Sequence, residues 1–284
     1  MFRAQILIWF AVACQAADFS GSSAFKYTQD AVNFGPRPSG SPANKQLQAY
    51  IRAQLRNWKC ELTEDPFIAK TPKGDVPMTN IIAKFPGRSG RAIVVTGHFD
   101  TKYFPGRKFV GANDGGSSTG LLLELARDLA GTSRTDDVYV VFFDGEEAVK
   151  DWTETDSVYG SRHLAYKWKA DGTLGKIKAL INVDMIGDKS LDILIEEYST
   201  NSLRQLVWKT AADLGYGAFF LNSGEKVEDD HMPFLQLGVP SLDLIDFDYD
   251  PWHKDSDTMD KLSPKSLEIV GTVVLESVKR LERQ

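Results

Sequence analysis

VYVVFFDGEE, residues 138–147, decides how the rest of this chain is read. Six β-branched and aromatic residues run without a polar break, which suits a strand buried on both faces of a parallel sheet. The run then stops abruptly at Asp144, Gly145, Glu146 and Glu147. The same form recurs on either side. AIVVT (92–96) is followed by Gly97-His98-Phe99-Asp100, and ALINV (179–183) by Asp184-Met185-Ile186-Gly187. A strand over Val239–Ile245 leads into an acidic stretch and then Trp252-His253. Asn80–Phe85 reads as a further strand, closed by Pro86-Gly87. Helical spacing appears over Ala43–Trp58, Leu121–Leu129 and Ser266–Glu282. Alternating strands and helices predict an α/β fold, with a mixed, mostly parallel central sheet and helices on both faces. Chemistry in such sheets gathers beyond the carboxyl ends of the strands.

Composition narrows the function. The chain has 284 residues, 42% of them hydrophobic and 25% charged, a globular mix. With 33 basic against 39 acidic residues the formal charge is -6, so no nucleic-acid partner is expected. Residues 1–17 read as a signal peptide. Arg3 precedes the apolar run ILIWFAVA (6–13), and small residues follow at Cys14–Ala17. The run is too short to span a bilayer, and no later run is long enough. The protein is expected to be exported, periplasmic or secreted, with Cys14 a candidate lipid anchor. One catalytic domain is expected over 24–284, working as a monomer. Two cysteines build no disulfide framework, and Cys60 is assigned to packing.

Separate strand ends deliver an acid or an imidazole to one rim: His98, Glu146, Glu147, Asp184 and His253, with Asp114 in the glycine-rich loop Gly111–Gly116. Charges converge in a fold when a cation offsets their desolvation. Carboxylate and imidazole ligands without cysteine suit catalytic zinc. Two competing patterns are set aside. Gly116-Ser-Ser-Thr-Gly120 matches a serine-hydrolase nucleophile turn, but no strand precedes it. It is read as a loop that presents Asp114, with a helix capped by Ser117 or Ser118. The same glycines lack the Lys-Ser/Thr of a phosphate loop. His163 is assigned a structural role, and His231 is expected to orient neighbouring carboxylates.

The sequence FDGEEA (143–148), Trp152, DSVYGSRHLA (156–165), EDDHMPFL (228–235), Gly238-Val239-Pro240 and Trp252-His253 before Asp257-Thr258 resembles the animal-type glutaminyl-peptide cyclotransferases. The resemblance extends from Phe34-Gly35-Pro36-Arg37-Pro38 to the last helix. It implies the zinc aminopeptidase-like fold and conversion of N-terminal glutamine, on peptides or proteins, to pyroglutamate with release of ammonia. It also implies one catalytic zinc on Asp114, Glu147 and His253. Glu146 is implied as general base, Asp184 and Asp229 as its proton-sharing partners, and Trp152 and Trp252 as walls of the glutamine pocket. The alternative is a dinuclear zinc aminopeptidase, in which His98 and Asp184 help to hold a second ion; ligand types alone do not choose between the two. A binding domain without activity is a remoter reading, since such relatives usually lose metal ligands. Three positions depart from the family. Asp243 stands where it has a histidine, and Gly97 and Thr119 replace the two cysteines of its disulfide.

Overall fold

The structure, a computed structural model, describes residues 19–284; the expected signal peptide at 1–17, Cys14 included, lies outside the described residues. In chain order the elements are α1 (Gly21–Val32), α2 (Pro42–Leu55), β1 (Glu61–Thr71), β2 (Gly74–Phe85), β3 (Ala92–His98), α3 (Gly116–Leu129), β4 (Asp137–Phe143) and α4 (Tyr159–Asp171). Then come β5 (Ile177–Asp184), β6 (Ile193–Glu196), α5 (Asn201–Asp213), β7 (Phe220–Glu225), α6 (Met232–Gln236), β8 (Ser241–Ile245) and α7 (Pro264–Glu282). The main sheet has the order β1-β2-β4-β3-β5-β8. Its β4-β3-β5-β8 half is parallel, while β1 and β2 join antiparallel at one side. This is the expected mixed, mostly parallel sheet. Strands β6 and β7 form a separate parallel pair.

Both faces of the sheet are covered, and strand periodicity says by what. Along β4, Val138, Val140 and Phe142 join α1, α2, α3, α5 and α7 in one buried cluster. The intervening Val141 and Phe143 join Leu164, Ala165 and Trp168 of α4 and Phe234 of α6 in another. Each fully buried Phe contributes about 1.5–3 kcal/mol, so β4 is clamped from two sides. That is why its sequence shows no polar alternation.

The edge strand β1 was not expected from its sequence, ELTEDPFIAKT, which is polar and contains Pro66. An edge tolerates both, because one side of the ladder needs no donor. Its partner β2 starts at Gly74, ahead of the expected Asn80. Cys60 is a free, partly buried thiol packed against the first cluster, and its Sγ donates to Leu55 O at 3.5 Å.

Candidate active site

The parallel strands end side by side, so the residues that follow them share one rim. His98 closes β3 and Asp184 closes β5. Glu146 and Glu147 follow β4 through Gly145. Their backbone N–H groups donate to the Asp100 carboxylate at 3.2 and 3.4 Å, which sends the two side chains apart. Glu147 Oε1 lies 3.2 Å from His253 Nε2, whereas Glu146 Oε2 lies 4.0 Å from His98 Nδ1.

Asp114 sits in the loop before α3 and links two groups. Its Oδ2 is 3.3 Å from His253 Nε2, and its Oδ1 is 3.3 Å from His98 Nε2, which is itself 3.1 Å from Asp184 Oδ1. The serine cap expected for α3 is not what forms. Gly115 is the N-cap at φ +78°, and a Cβ there would stand 2.5 Å from Asp100 O, so only glycine fits. The Ser117 and Ser118 hydroxyls donate backward instead, to Asn113 O at 2.5 Å and His98 O at 2.7 Å. They tie the loop to β3, and no exposed nucleophile results.

Two non-glycine residues at this rim have left-handed backbones, Met185 at φ +48° and His253 at φ +55°. Such conformations cost about 1–3 kcal/mol each and cluster where surroundings over-determine a functional position. His253 is packed among rings. Trp252 stacks on it at 4.2 Å, and Phe104 and Phe109 meet it edge-on at 5.7 and 5.9 Å.

A cavity of about 470 Å³ opens over this rim. Trp152, Trp252 and Phe247 line it together with Asp114, Glu146, Glu147, Asp184, Asp229 and His253. All eight residues singled out from the sequence as ligands, acid–base groups or pocket walls therefore line one cavity. His98 lies beneath it, buried. His163 is elsewhere, stacked on Phe67 at 4.3 Å and 3.4 Å from Asp65. His231 is buried, with Nε2 3.2 Å from Glu196 and Nδ1 3.9 Å from Asp243. Asn182 Nδ2 donates to both Asp229 (2.9 Å) and Asp243 (3.0 Å), so Asp243 joins the polar network behind the site.

The electrostatics call for a cation. Burial opposes the charge on Asp114, yet His253 and His98 outweigh it and hold the carboxyl well below the usual range. Burial also opposes charge on His253, but contacts with Asp114 and Glu147 carry it up to about 9. Burial pushes Glu146 well above its ordinary value against the pull of His98, with Glu147, Asp229 and Asp230 adding to the push. Burial and then Asp184 raise Asp229 to about 6. Asp114 Oδ2 and His98 Nδ1 are buried without a hydrogen-bond partner. Two sets of three have ligand atoms within 4.8 Å of one another: Asp114, Glu147 and His253, and His98, Asp114 and Asp184. The donor types and these orphaned atoms fit a divalent metal.

Sequence reading left three contributors without roles. Asp257 accepts the N–H groups of Asn113 (2.9 Å) and Asp114 (3.2 Å) and the Tyr249 hydroxyl (2.7 Å). It thereby ties the Asp114 loop to the segment bearing His253. Asp100 orients the two glutamates, and Lys102 Nζ lies 3.3 Å from Glu147 Oε2. Asp100 and Asp257 stood in quoted motifs, but nothing in a linear motif distinguishes a group that orients from one that binds.

The sequence pattern of peptidase family M28 matches residues 80–278. This chain belongs to that family. A mouse (Mus musculus) glutaminyl-peptide cyclotransferase-like protein is 32% identical over 271 residues, covering 84% of this chain and 70% of the relative. A solved glutaminyl cyclase from an Acidobacteriales bacterium is 38% identical with a TM-score of 0.92, covering 98% of this chain and 99% of that one. A Zn-dependent exopeptidase from Parabacteroides distasonis is 27% identical with a TM-score of 0.83, covering 92% and 98%. The M28 chain thus shares its fold with both kinds of enzyme, and the family implies zinc at the rim. The packing around Gly97 and Thr119 is close. A Cβ on Gly97 would stand 2.8 Å from both Ser118 Cβ and Val183 O, so no side chain fits, and the Thr119 hydroxyl donates to Gly115 O at 2.6 Å.

Proposed function

We propose that this M28 member is a glutaminyl-peptide cyclotransferase, turning N-terminal glutamine into pyroglutamate with release of ammonia. What carries the reading is the pairing of Trp152 and Trp252 across the cavity that holds Asp114, Glu147 and His253, with Glu146 beside them. Two indoles suit the methylenes and the flat amide face of a glutamine side chain, and leave its polar carbonyl and amine to the carboxylates and imidazole at the rim.

One zinc ion on Asp114, Glu147 and His253 would supply Lewis-acid polarisation of the side-chain carbonyl. The protein's own groups do the rest. The indoles fold the side chain back on its amine, and such proximity is worth up to roughly 7–11 kcal/mol. The neutral α-amine nitrogen attacks the side-chain amide carbon. Glu146 accepts the proton that the amine loses and returns it to the departing amide nitrogen. The new N–C bond closes the lactam, the old C–NH2 bond breaks, and ammonia leaves. Asp229 adds to the upward push on Glu146, and Asp184 to that on Asp229, so these carboxyls interact in a chain that keeps a proton near the site for that return.

Incubating Gln-Ala with the protein tests the reading. Ammonia and a cyclised dipeptide are expected; free glutamine and alanine would establish the aminopeptidase instead. Zinc analysis is expected to return one ion per chain, and chelation to abolish turnover until zinc is restored. We further propose export through residues 1–17, checked by sequencing the N-terminus of the mature protein, and a monomer, checked by sedimentation.

A further inference from the structure

Trp152 and Trp252 face the same cavity but are held in different ways. Trp252 stacks on His253 and meets Phe247 at 4.9 Å. Trp152 makes no hydrogen bond or ring contact among the described residues, and it is 38% exposed. The hydrogen bonds of this region hold its backbone. That backbone is a short irregular segment between Glu147 and α4, and its amides converge on one buried carboxylate. Asp156 accepts from Val149 N at 2.8 Å, Lys150 N at 2.9 Å and Asp151 N at 3.0 Å. The Tyr159 hydroxyl donates a fourth hydrogen bond at 2.7 Å, from the first turn of α4. Asp156 is 4% exposed, so water does not compete for these bonds. Arg162, one turn further along α4, donates to Glu154 O and Ser157 O on the other side of the segment. Three consecutive N–H groups aimed at one charged acceptor make a rigid anchor, each bond about twice as strong as a neutral one.

We infer that Asp156 is a positioning residue for the cyclisation: it clamps residues 149–151 against α4 and so holds Trp152 in place as a wall of the substrate cavity. The inference rests on the cyclotransferase reading and on Trp152 contacting substrate. A carboxylate is required because all four partners are donors. An asparagine would offer one acceptor oxygen and turn its own N–H2 toward the remaining N–H groups.

The test is a double-mutant cycle on Gln-Ala with the zinc-loaded full chain, using Asp156→Asn and Trp152→Ala alone and together. Asp156→Asn is expected to raise KM about tenfold, the size of losing one charge-assisted hydrogen bond, with a smaller fall in kcat, since the indole also folds the side chain toward its amine, and with zinc content little changed. In the Trp152→Ala background the same substitution is expected to change KM by less than about twofold, because the wall it positions is gone. Asp156→Glu, which restores the charge, is expected to recover part of the loss. Equal effects of Asp156→Asn in both backgrounds would overturn the inference, as would an effect confined to kcat or zinc content. If Asp156→Asn does not fold, Tyr159→Phe removes a single donor and is put through the same cycle with the same criterion. A wild-type protein that releases no ammonia overturns the cyclotransferase reading and this inference with it; a wild type that cyclises but gives an additive cycle overturns the inference alone.

Discussion

Replacing Glu146 by Gln changes one proton acceptor and almost nothing else. The side chain keeps its length and shape. Its carboxylate makes no hydrogen bond among the described residues; the nearest basic atom, His98 Nδ1, is 4.0 Å away. The backbone N–H of residue 146 goes on donating to Asp100. Folding is therefore expected to be unharmed, and relieving charge in a crowded acidic site is if anything mildly stabilising. Catalysis is another matter. A positioned general base contributes about 10²–10⁴ in rate, or roughly 3–5 kcal/mol of barrier. Ammonia release from Gln-Ala by Glu146→Gln is expected to fall by that factor, with zinc content and melting temperature close to wild type. Glu147→Gln serves as the counterpart. It removes a ligand oxygen 3.2 Å from His253 and is expected to lose metal as well as activity. If Glu146→Gln kept more than about a tenth of wild-type turnover, Glu146 would not be the base, since even the low end of the range demands a hundredfold loss.

Three further outcomes follow from the same geometry. Asp257→Ala frees the N–H groups of Asn113 and Asp114 and is expected to weaken zinc affinity about 10–100-fold by competition titration, since groups that orient ligands carry effects of that size; unchanged affinity would remove Asp257 from the site. Turnover of Gln-Ala is expected to rise from acid to mildly alkaline pH as the substrate amine, with pKa about 7.7–8.0, loses its proton; a flat profile there contradicts a neutral nucleophile. Asp246 bears on stability. Burial, and then Asp188, Asp192 and Asp248, raise it to about 7, above its unfolded value of 3.8. The folded state therefore binds the extra proton, so this residue's contribution is full below about pH 4 and is lost as pH rises toward 7. Asp246→Asn is expected to flatten that part of the stability profile in urea titrations, on the order of a few kcal/mol, and an unchanged slope would refute the assignment.

Much of this protein could be read along the chain, and the reason is local. A strand buried on both faces must be apolar throughout, so β3, β4 and β5 announce themselves, and whatever polar residue follows such a run has to sit at the sheet's rim. That is enough to bring His98, Glu146, Glu147 and Asp184 to one edge and to set the fold class. Asp114 was legible for another local reason, the glycines that let its loop turn. What stayed hidden depends on neighbours distant in the chain. The strand β1 is polar and carries Pro66, and it is a strand only because β2 lies beside it. The start of α3 is governed by the space beside Asp100, so Gly115 caps it where a serine was expected. The clamp on Trp152 involves a motif residue, but its role depends on which amides face Asp156 once the segment has folded. The kinds of groups at the rim are thus a property of the sequence, because periodicity and burial act within one element. Which oxygen faces which imidazole, and how Asp114 comes to be shared between His98 and His253, arises only when separate strands and loops pack, because those distances are set across the sheet rather than along the chain.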